Sequence, residues 1–259
     1  MKHRLIQTAF GGLMLVVTGM YSGAASGQQS GSSPQRSQVT VVRVKPDMID
    51  AWIDFQTKRT IPALKKAGVT QRTVYQSAFG NLGEFRLVTP IAKFADRDNP
   101  SPIERALGAA GAKEYNDAYR KLIVSSTVYV TQALPDVRLD PNPDANYKVL
   151  VLSTIHVTPG HATEYLNYLQ SDILPIEKKG ETKRFTVSRV VFGGDNNEFR
   201  VARFVEKFAD LDAGPATTRV LGAEGARKLA QKVTGIVTST QINVYVHNDA
   251  LSFRARPQS

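Results

Sequence analysis

The sequence predicts an α+β fold made of two tandem copies of one βαββαβ unit, whose sheets cover each other. Three observations predict it. The chain repeats its own text at a spacing of 113 residues. Each copy carries the same order of expected elements. And two copies of this length are too few and too long for a solenoid, so each is a compact unit.

The repeat runs through the whole unit. Val44-Lys45-Pro46 aligns with Val157-Thr158-Pro159, Ile61-Pro62 with Leu174-Pro175, and Lys65-Lys66 with Lys178-Lys179. Phe79-Gly80 aligns with Phe192-Gly193. One residue is then added in the second copy. Glu84-Phe85-Arg86 matches Glu198-Phe199-Arg200, Lys93 to Asp96 matches Lys207 to Asp210, and Leu107-Gly108-Ala109 matches Leu221-Gly222-Ala223. Anchors spread this widely, with a single one-residue gap, indicate duplication.

One unit reads as follows. Gln38 to Val44 is short and β-branched, a strand. Pro46 suits the first turn of a helix, where a missing N–H costs nothing. Met48, Trp52, Phe55 and Ile61 recur at helical spacing. Pro62, like Pro175, falls late in that run and predicts a kink or a second short helix. Gly68 and Gly180 end the segment. Thr73 to Phe79 and Glu84 to Ile91 read as strands joined by the turn Gly80-Asn81-Leu82-Gly83. The extra residue of the second copy falls in this turn, where insertion is cheap. Ile103 to Leu122 is a second helix and Ile123 to Gln132 the last strand. The order is the split βαβ of ferredoxin-like folds. Such a sheet has helices on one face only, and the second copy is the natural cover for the other.

The units span residues 38–136 and 148–248. The connection 137–147 is rich in Pro, Asp and Asn and predicts an exposed, turn-rich linker. Residues 249–259 read as a polar tail. At the other end, Lys2, His3 and Arg4 precede the largely apolar run Leu5 to Met20, and Gly23 and Ala25 occupy the small-residue positions of a cleavage site. Residues 1–26 therefore read as an export signal, with periplasmic or secreted localisation as the expectation and an uncleaved anchor as the alternative. After cleavage no transmembrane span is expected. Residues 27–37, rich in Ser and Gln, read as a disordered linker.

The chain has no cysteine, which excludes disulfides, thiolate nucleophiles, Cys-ligated metals and a lipid-modified cysteine anchor. Its formal charge is +10, falling to +8 without Lys2 and Arg4. The basic residues are scattered, as on a solvated surface, though attraction to an anionic envelope or acidic ligand is the sharper reading. No aromatic–basic motif points to nucleic acid. No P-loop, dinucleotide fingerprint or nucleophile elbow occurs.

The run of strand, Pro159-Gly160, amphipathic helix, Leu174-Pro175, Phe192-Gly193-Gly194 hairpin and hydrophobic strand resembles NIPSNAP-type domains of the dimeric α+β barrel superfamily. The first copy departs from the pattern at Asp47, where the second has Gly160. The resemblance covers nearly all of both units and implies an intrachain α+β barrel. Related proteins include cofactor-free antibiotic-biosynthesis monooxygenases, EthD-like proteins and, further off, haem proteins of the chlorite dismutase and dye-decolorising peroxidase kind. A fold with so many uses does not specify an activity.

Strand parity separates the sheet faces. Val42, Val44, Ile155 and Val157 should face helices, as should Phe85, Leu87, Phe199 and Val201, and in the last strands Val128, Val130, Ile242 and Val244. The barrel interior then receives Arg43, Arg86, Tyr129, His156, Arg200 and Asn243. Buried charge must be paired, so these groups meet Glu84 and Glu198, or a ligand. An Arg–Glu network fixing strand register is one reading; a pocket for an anionic or quinone-like molecule is the other. His156 is the best catalytic candidate, as a general base; as a haem ligand it would need an open apolar pocket; as a satisfied core histidine it needs neither. His161 should lie on the surface and His247 in solvent. Two histidines without a positioned carboxylate are a weak metal signal, and no metal site is expected. The Trp52/Phe55 and Tyr165/Tyr168 stripes read as helix core.

Two function classes follow. The first is an exported protein that binds a small apolar or anionic ligand in or near the barrel, or is purely structural, without cofactor. The second is a cofactor-free monooxygenase or haem-dependent oxidative enzyme. Both halves of the barrel are in one chain, so a monomer or weak homodimer is expected.

Overall fold

The computed structural model describes residues 35–142, Ala145 and residues 147–255. The expected export signal and most of the linker before the first strand lie outside the described residues, as do the last four residues of the expected tail.

The chain folds as β1 (Arg36–Val44), α1 (Ile49–Phe55), α2 (Ile61–Lys66), β2 (Gln71–Ser77), β3 (Glu84–Ile91), α3 (Pro102–Leu122) and β4 (Ile123–Ala133). It continues with β5 (Val149–Val157), α4 (Ala162–Tyr168), α5 (Leu174–Lys179), β6 (Arg184–Phe192), β7 (Glu198–Val205), α6 (Ala216–Gln231), β8 (Val237–His247) and β9 (Phe253–Arg254). The strand order is β3-β1-β4-β6-β7-β5-β8-β2, and β2 pairs back onto β3. The result is a closed eight-stranded α+β barrel. Its strand edges are hydrogen-bonded at two seams, β4 to β6 and β2 to β8. Closure removes the unpaired edges that two sheets merely stacked face to face would leave.

Helices pack on the outside. Val42, Val44, Val74 and Phe85 meet Trp52 and Ile61. Ile155, Val157, Phe185, Phe199 and Val201 meet Tyr165, Leu169 and Leu229. These residues are buried on the face that parity assigns to the helices. The last strands differ from expectation. Val128 is 48% and Ile242 63% exposed. The helices cover the central strands of each half, and β4 and β8 lie beyond them at the seams.

A π segment joins α1 to α2 at Gln56–Thr60 and α4 to α5 at Leu169–Ile173, so each pair is one continuous helix. Pro62 and Pro175 explain the position. Each lacks an N–H and its ring would crowd the carbonyl four residues back. The chain takes five-residue bonds instead, from the Ile61 N–H to the Gln56 carbonyl and from the Leu174 N–H to the Leu169 carbonyl. The helix therefore bends around each proline without a break. Inside α3 and α6, Gly108 (φ 72°, ψ 169°) and Gly222 (φ 69°, ψ 173°) adopt a backbone reserved for glycine.

Two expected loop segments are tied down. In the connection after β4, Val137 is buried in the helix-side core and Leu139 bridges Phe185; apolar burial overrides the local turn composition. In the expected polar tail, Leu251 is buried and β9 pairs with β2. Among the described residues no helix is long and apolar enough to cross a membrane.

Candidate ligand site at one mouth of the barrel

β1, β2, β5 and β6 run one way along the barrel and the other four long strands run back. The C-terminal ends of β1 and β5 thus share one mouth with the N-terminal ends of β3, β4, β7 and β8. A cavity of about 440 Å³ opens there. Arg43, Arg86, Tyr129, Arg200 and Asn243 all line it, with Glu84 and Glu198. His156 stands apart from this lining. It sits at the rim, 35% exposed, between Asp195 and Glu198.

Register explains the placement. Arg43 pairs with Glu84 across β1–β3, and His156 with Glu198 across β5–β7. Arg43 Nε lies 3.5 Å from Glu84 Oε2, and His156 Nε2 lies 3.5 Å from Glu198 Oε2. His156 Nδ1 is 3.6 Å from Asp195 Oδ2 in the β6–β7 hairpin. The Asn197 backbone N–H donates to Asp195 at 2.8 Å and, with His156, holds that carboxyl below its usual range.

Deeper in, the arginines cluster on aromatic rings. The Arg86 guanidinium lies 5.8 Å from the Tyr129 ring and 5.5 Å from the Tyr245 ring, and it donates to the Tyr129 hydroxyl. Arg200 lies 5.1 Å from the Tyr129 ring, donates to Thr154 Oγ1 and pairs with Glu198. Its Nε is buried without an acceptor. Burial alone would lower the Arg86 guanidinium, but Tyr129, Tyr245 and Glu84 hold it above its usual value. Burial pushes Tyr245 up to about 12. The three arginines outnumber the two glutamates of the wall, and each glutamate is shared between one of the other two arginines and a further partner. Glu84 meets Arg43 and the Tyr245 hydroxyl; Glu198 meets Arg200 and His156. Among the described residues no carboxylate hydrogen-bonds Arg86.

Tyr245 was not among the residues expected here. It follows Asn243 by two positions on β8, so extending the same parity by one step finds it. Gly193 and Gly194 of the hairpin also line the cavity; glycine carries no parity signal. Of the two other histidine expectations, one holds and one does not. His161 is a surface residue, 3.0 Å from Glu164. His247 is no solvated group: it ends β8, contacts Asp249 at 2.9 Å and packs its ring against Tyr75.

Among the described residues no group of three His, Asp or Glu is placed to hold a metal ion. The cavity does not fit a haem either. Its walls are mostly polar, with three arginines and two glutamates where a haem needs apolar side chains, and both His156 nitrogens face carboxylates.

No family model matches the sequence, and no curated protein is similar to it in sequence. Solved structures are similar in fold. A candidate monooxygenase from Lactobacillus acidophilus superposes with a TM-score of 0.54 at 8% identity, covering 86% of this chain and 97% of its own. An anthrone oxidase-like protein gives 0.55 at 12% identity, covering 83% and 92%. A candidate chlorite dismutase gives 0.50 at 13%, covering 85% and 97%. At these identities the likeness is one of architecture, and the chain shares the α+β barrel fold of these proteins.

Proposed function

We propose that the chain binds a small anionic ligand in the cavity beside Arg86, without a cofactor. The observation that carries this reading is Arg86 itself. It is a buried cation on the cavity wall whose hydrogen-bonded neighbour is a phenol and not a carboxylate. Burying a charge is costly unless it is paired, and a ligand oxyanion supplies the pair. Tyr129 accepts from Arg86, so its own O–H proton is free to donate to the same oxyanion. Arg200 and Asn243 complete the ring of donors, and the aromatic faces suit a planar ligand body.

Calorimetry with 4-hydroxybenzoate as the probe tests this. Saturable binding is expected, with 4-hydroxybenzyl alcohol much weaker and Arg86→Gln losing at least tenfold, about 1.4 kcal/mol. Equal binding by folded Arg86→Gln and Arg200→Gln would sink the reading.

A second reading, a cofactor-free oxygenase, is favoured by one observation: His156 sits between Glu198 and Asp195 at the mouth of the arginine-lined cavity. In it His156 takes a proton from a phenolic substrate and the arginines hold the resulting anion for reaction with oxygen. The fold likeness to an anthrone oxidase-like protein is compatible with it. Oxygen uptake with anthrone, lost in His156→Ala, is the expected result; no uptake with anthrone or quinols counts against it.

We further infer that residues 38–136 and 148–248 are duplicated ferredoxin-like units of NIPSNAP-like descent, and that residues 1–26 direct export to the periplasm or beyond. Both fit the matched anchors Ile61-Pro62 and Leu174-Pro175 and the basic, apolar start of the chain. N-terminal sequencing of the mature protein should begin near Gly27. Sedimentation should find a monomer or a weak homodimer.

A further inference from the structure

The barrel has a second mouth. At the end opposite Arg43, the starts of β2 and β6 and the ends of β7 and β8 surround a cavity of about 570 Å³. Sites for small organic molecules run from roughly 300 to 1,000 Å³. Leu150, Leu152, Ala202 and Tyr245 fill the interior between the two cavities, and no residue lines both.

The walls combine aromatic faces with surplus positive charge. Tyr75, Tyr147 and Phe204 line the cavity and pack on one another, with ring centroids 6.2–6.4 Å apart at Phe204. The Arg184 guanidinium lies 4.8 Å from the Phe204 ring. The nearby carboxylates are each shared by two basic side chains. Asp140, almost wholly buried, takes Arg138 at 2.5 Å and Arg184 at 3.2 Å. Asp249 takes Lys148 at 2.5 Å and His247 at 2.9 Å. Arg184 contacts Asp140 through a misaligned Nε, which is buried and makes no hydrogen bond. Among the described residues no hydrogen bond from its other N–H groups occurs either. A guanidinium stacked on a phenyl ring, short of acceptors and facing an aromatic-walled cavity, is built to meet a planar anion.

We propose that this mouth is a second ligand site, for an aromatic molecule carrying an oxyanion group, with the ring against Phe204 and Tyr75 and the oxyanion on Arg184 and Arg138. Asp140 is then an internal competitor for the same two guanidiniums. That makes a prediction a structural ion triad does not share: removing its charge strengthens ligand binding.

The test is fluorescence titration of the full chain with 2-naphthyl phosphate and 2-naphthoate, which also separates phosphate from carboxylate. Saturable binding of at least one is expected, with 2-naphthol and inorganic phosphate much weaker. Arg184→Gln should weaken it at least tenfold, Phe204→Leu severalfold, and Asp140→Asn should tighten it severalfold. Circular dichroism checks that each variant is folded, and Phe204→Leu serves if Arg184→Gln is not. Failure of both probes to bind the folded wild type overturns the proposal. So does unchanged binding in folded Arg184→Gln or Phe204→Leu, or unchanged or weaker binding in folded Asp140→Asn.

Discussion

The Tyr245 hydroxyl donates to Glu84 Oε1 at 2.8 Å, joining β8 to β3 across the barrel interior. The bond links positions 161 residues apart in the chain. It also fixes Glu84, which on its other side meets Arg43. Tyr245→Phe keeps the buried ring and removes the donor. The expected cost is about 1–2 kcal/mol in urea unfolding, because a half-buried carboxylate loses a hydrogen bond. A double cycle with Glu84→Gln should show coupling between the two positions.

Alkaline pH should loosen the fold from about pH 10 upward. Burial pushes Tyr75, Tyr119, Tyr168 and Tyr245 up to about 12 and raises Tyr115 and Tyr165 as well. Between about 10 and 12 the unfolded chain gives up these protons while the folded chain keeps them. Their stabilising contribution is therefore complete below the unfolded value near 10 and is lost as pH rises through the folded values near 12. For the deeply buried Tyr75 the slope is about 1.4 kcal/mol per pH unit. Arg72, lowered to about 10 by burial, acts in the opposite sense, but it is one group against six. Urea midpoints should fall across this window, and near-ultraviolet tyrosinate absorbance should lag that of free tyrosine.

Gly80 and Gly193 occupy matched places in the two hairpins but should respond differently to a methyl group. Both have positive φ, 91° and 79°. A Cβ on Gly80 meets open space, so Gly80→Ala costs only left-handed strain, about 1–2 kcal/mol. A Cβ on Gly193 falls 2.6 Å from the Val128 carbonyl oxygen and 3.0 Å from Tyr129 Cα. Gly193→Ala must push β4 away at the seam. It should be the more destabilising of the two and should weaken 4-hydroxybenzoate binding, because Tyr129 moves with the backbone.

Much of this site was legible in the chain. Parity placed Arg43, Arg86, Tyr129, Arg200 and Asn243 on one face, and they line one cavity. Alternation is a local property that survives any arrangement of sheets. What parity does not carry is depth. His156 holds the same penultimate strand place as Arg43, but its ring is turned between Asp195 and Glu198 and stays outside the lining. Parity also cannot say what covers the outer face, which is why Val128 and Ile242 were expected under helices and stand exposed. The second cavity was hidden for another reason. Arg138 and Tyr147 come from the connection between the halves, and Pro, Asp and Asn there signal turns and nothing about what the turns enclose.

The least expected polar contact is Gln56 with Arg72, and its two ends should respond oppositely to mutation. The π segment turns Gln56 into the interior, where its Oε1 accepts from Arg72 Nη2 at 2.7 Å. Arg72 is 2% exposed, its Nε has no partner, and no carboxylate pairs with it among the described residues. Burial accordingly lowers it to about 10. Taking this charge out of water costs more than one amide oxygen returns. Arg72→Met, similar in length and apolar, should be neutral or stabilising by about 1–2 kcal/mol in urea unfolding. Gln56→Leu leaves the cation without its acceptor and should cost about 2–4 kcal/mol. The double variant should recover most of that loss, since the cation that needed the amide is gone. A double variant as unstable as Gln56→Leu alone would mean that Gln56 matters for the helix and not for Arg72.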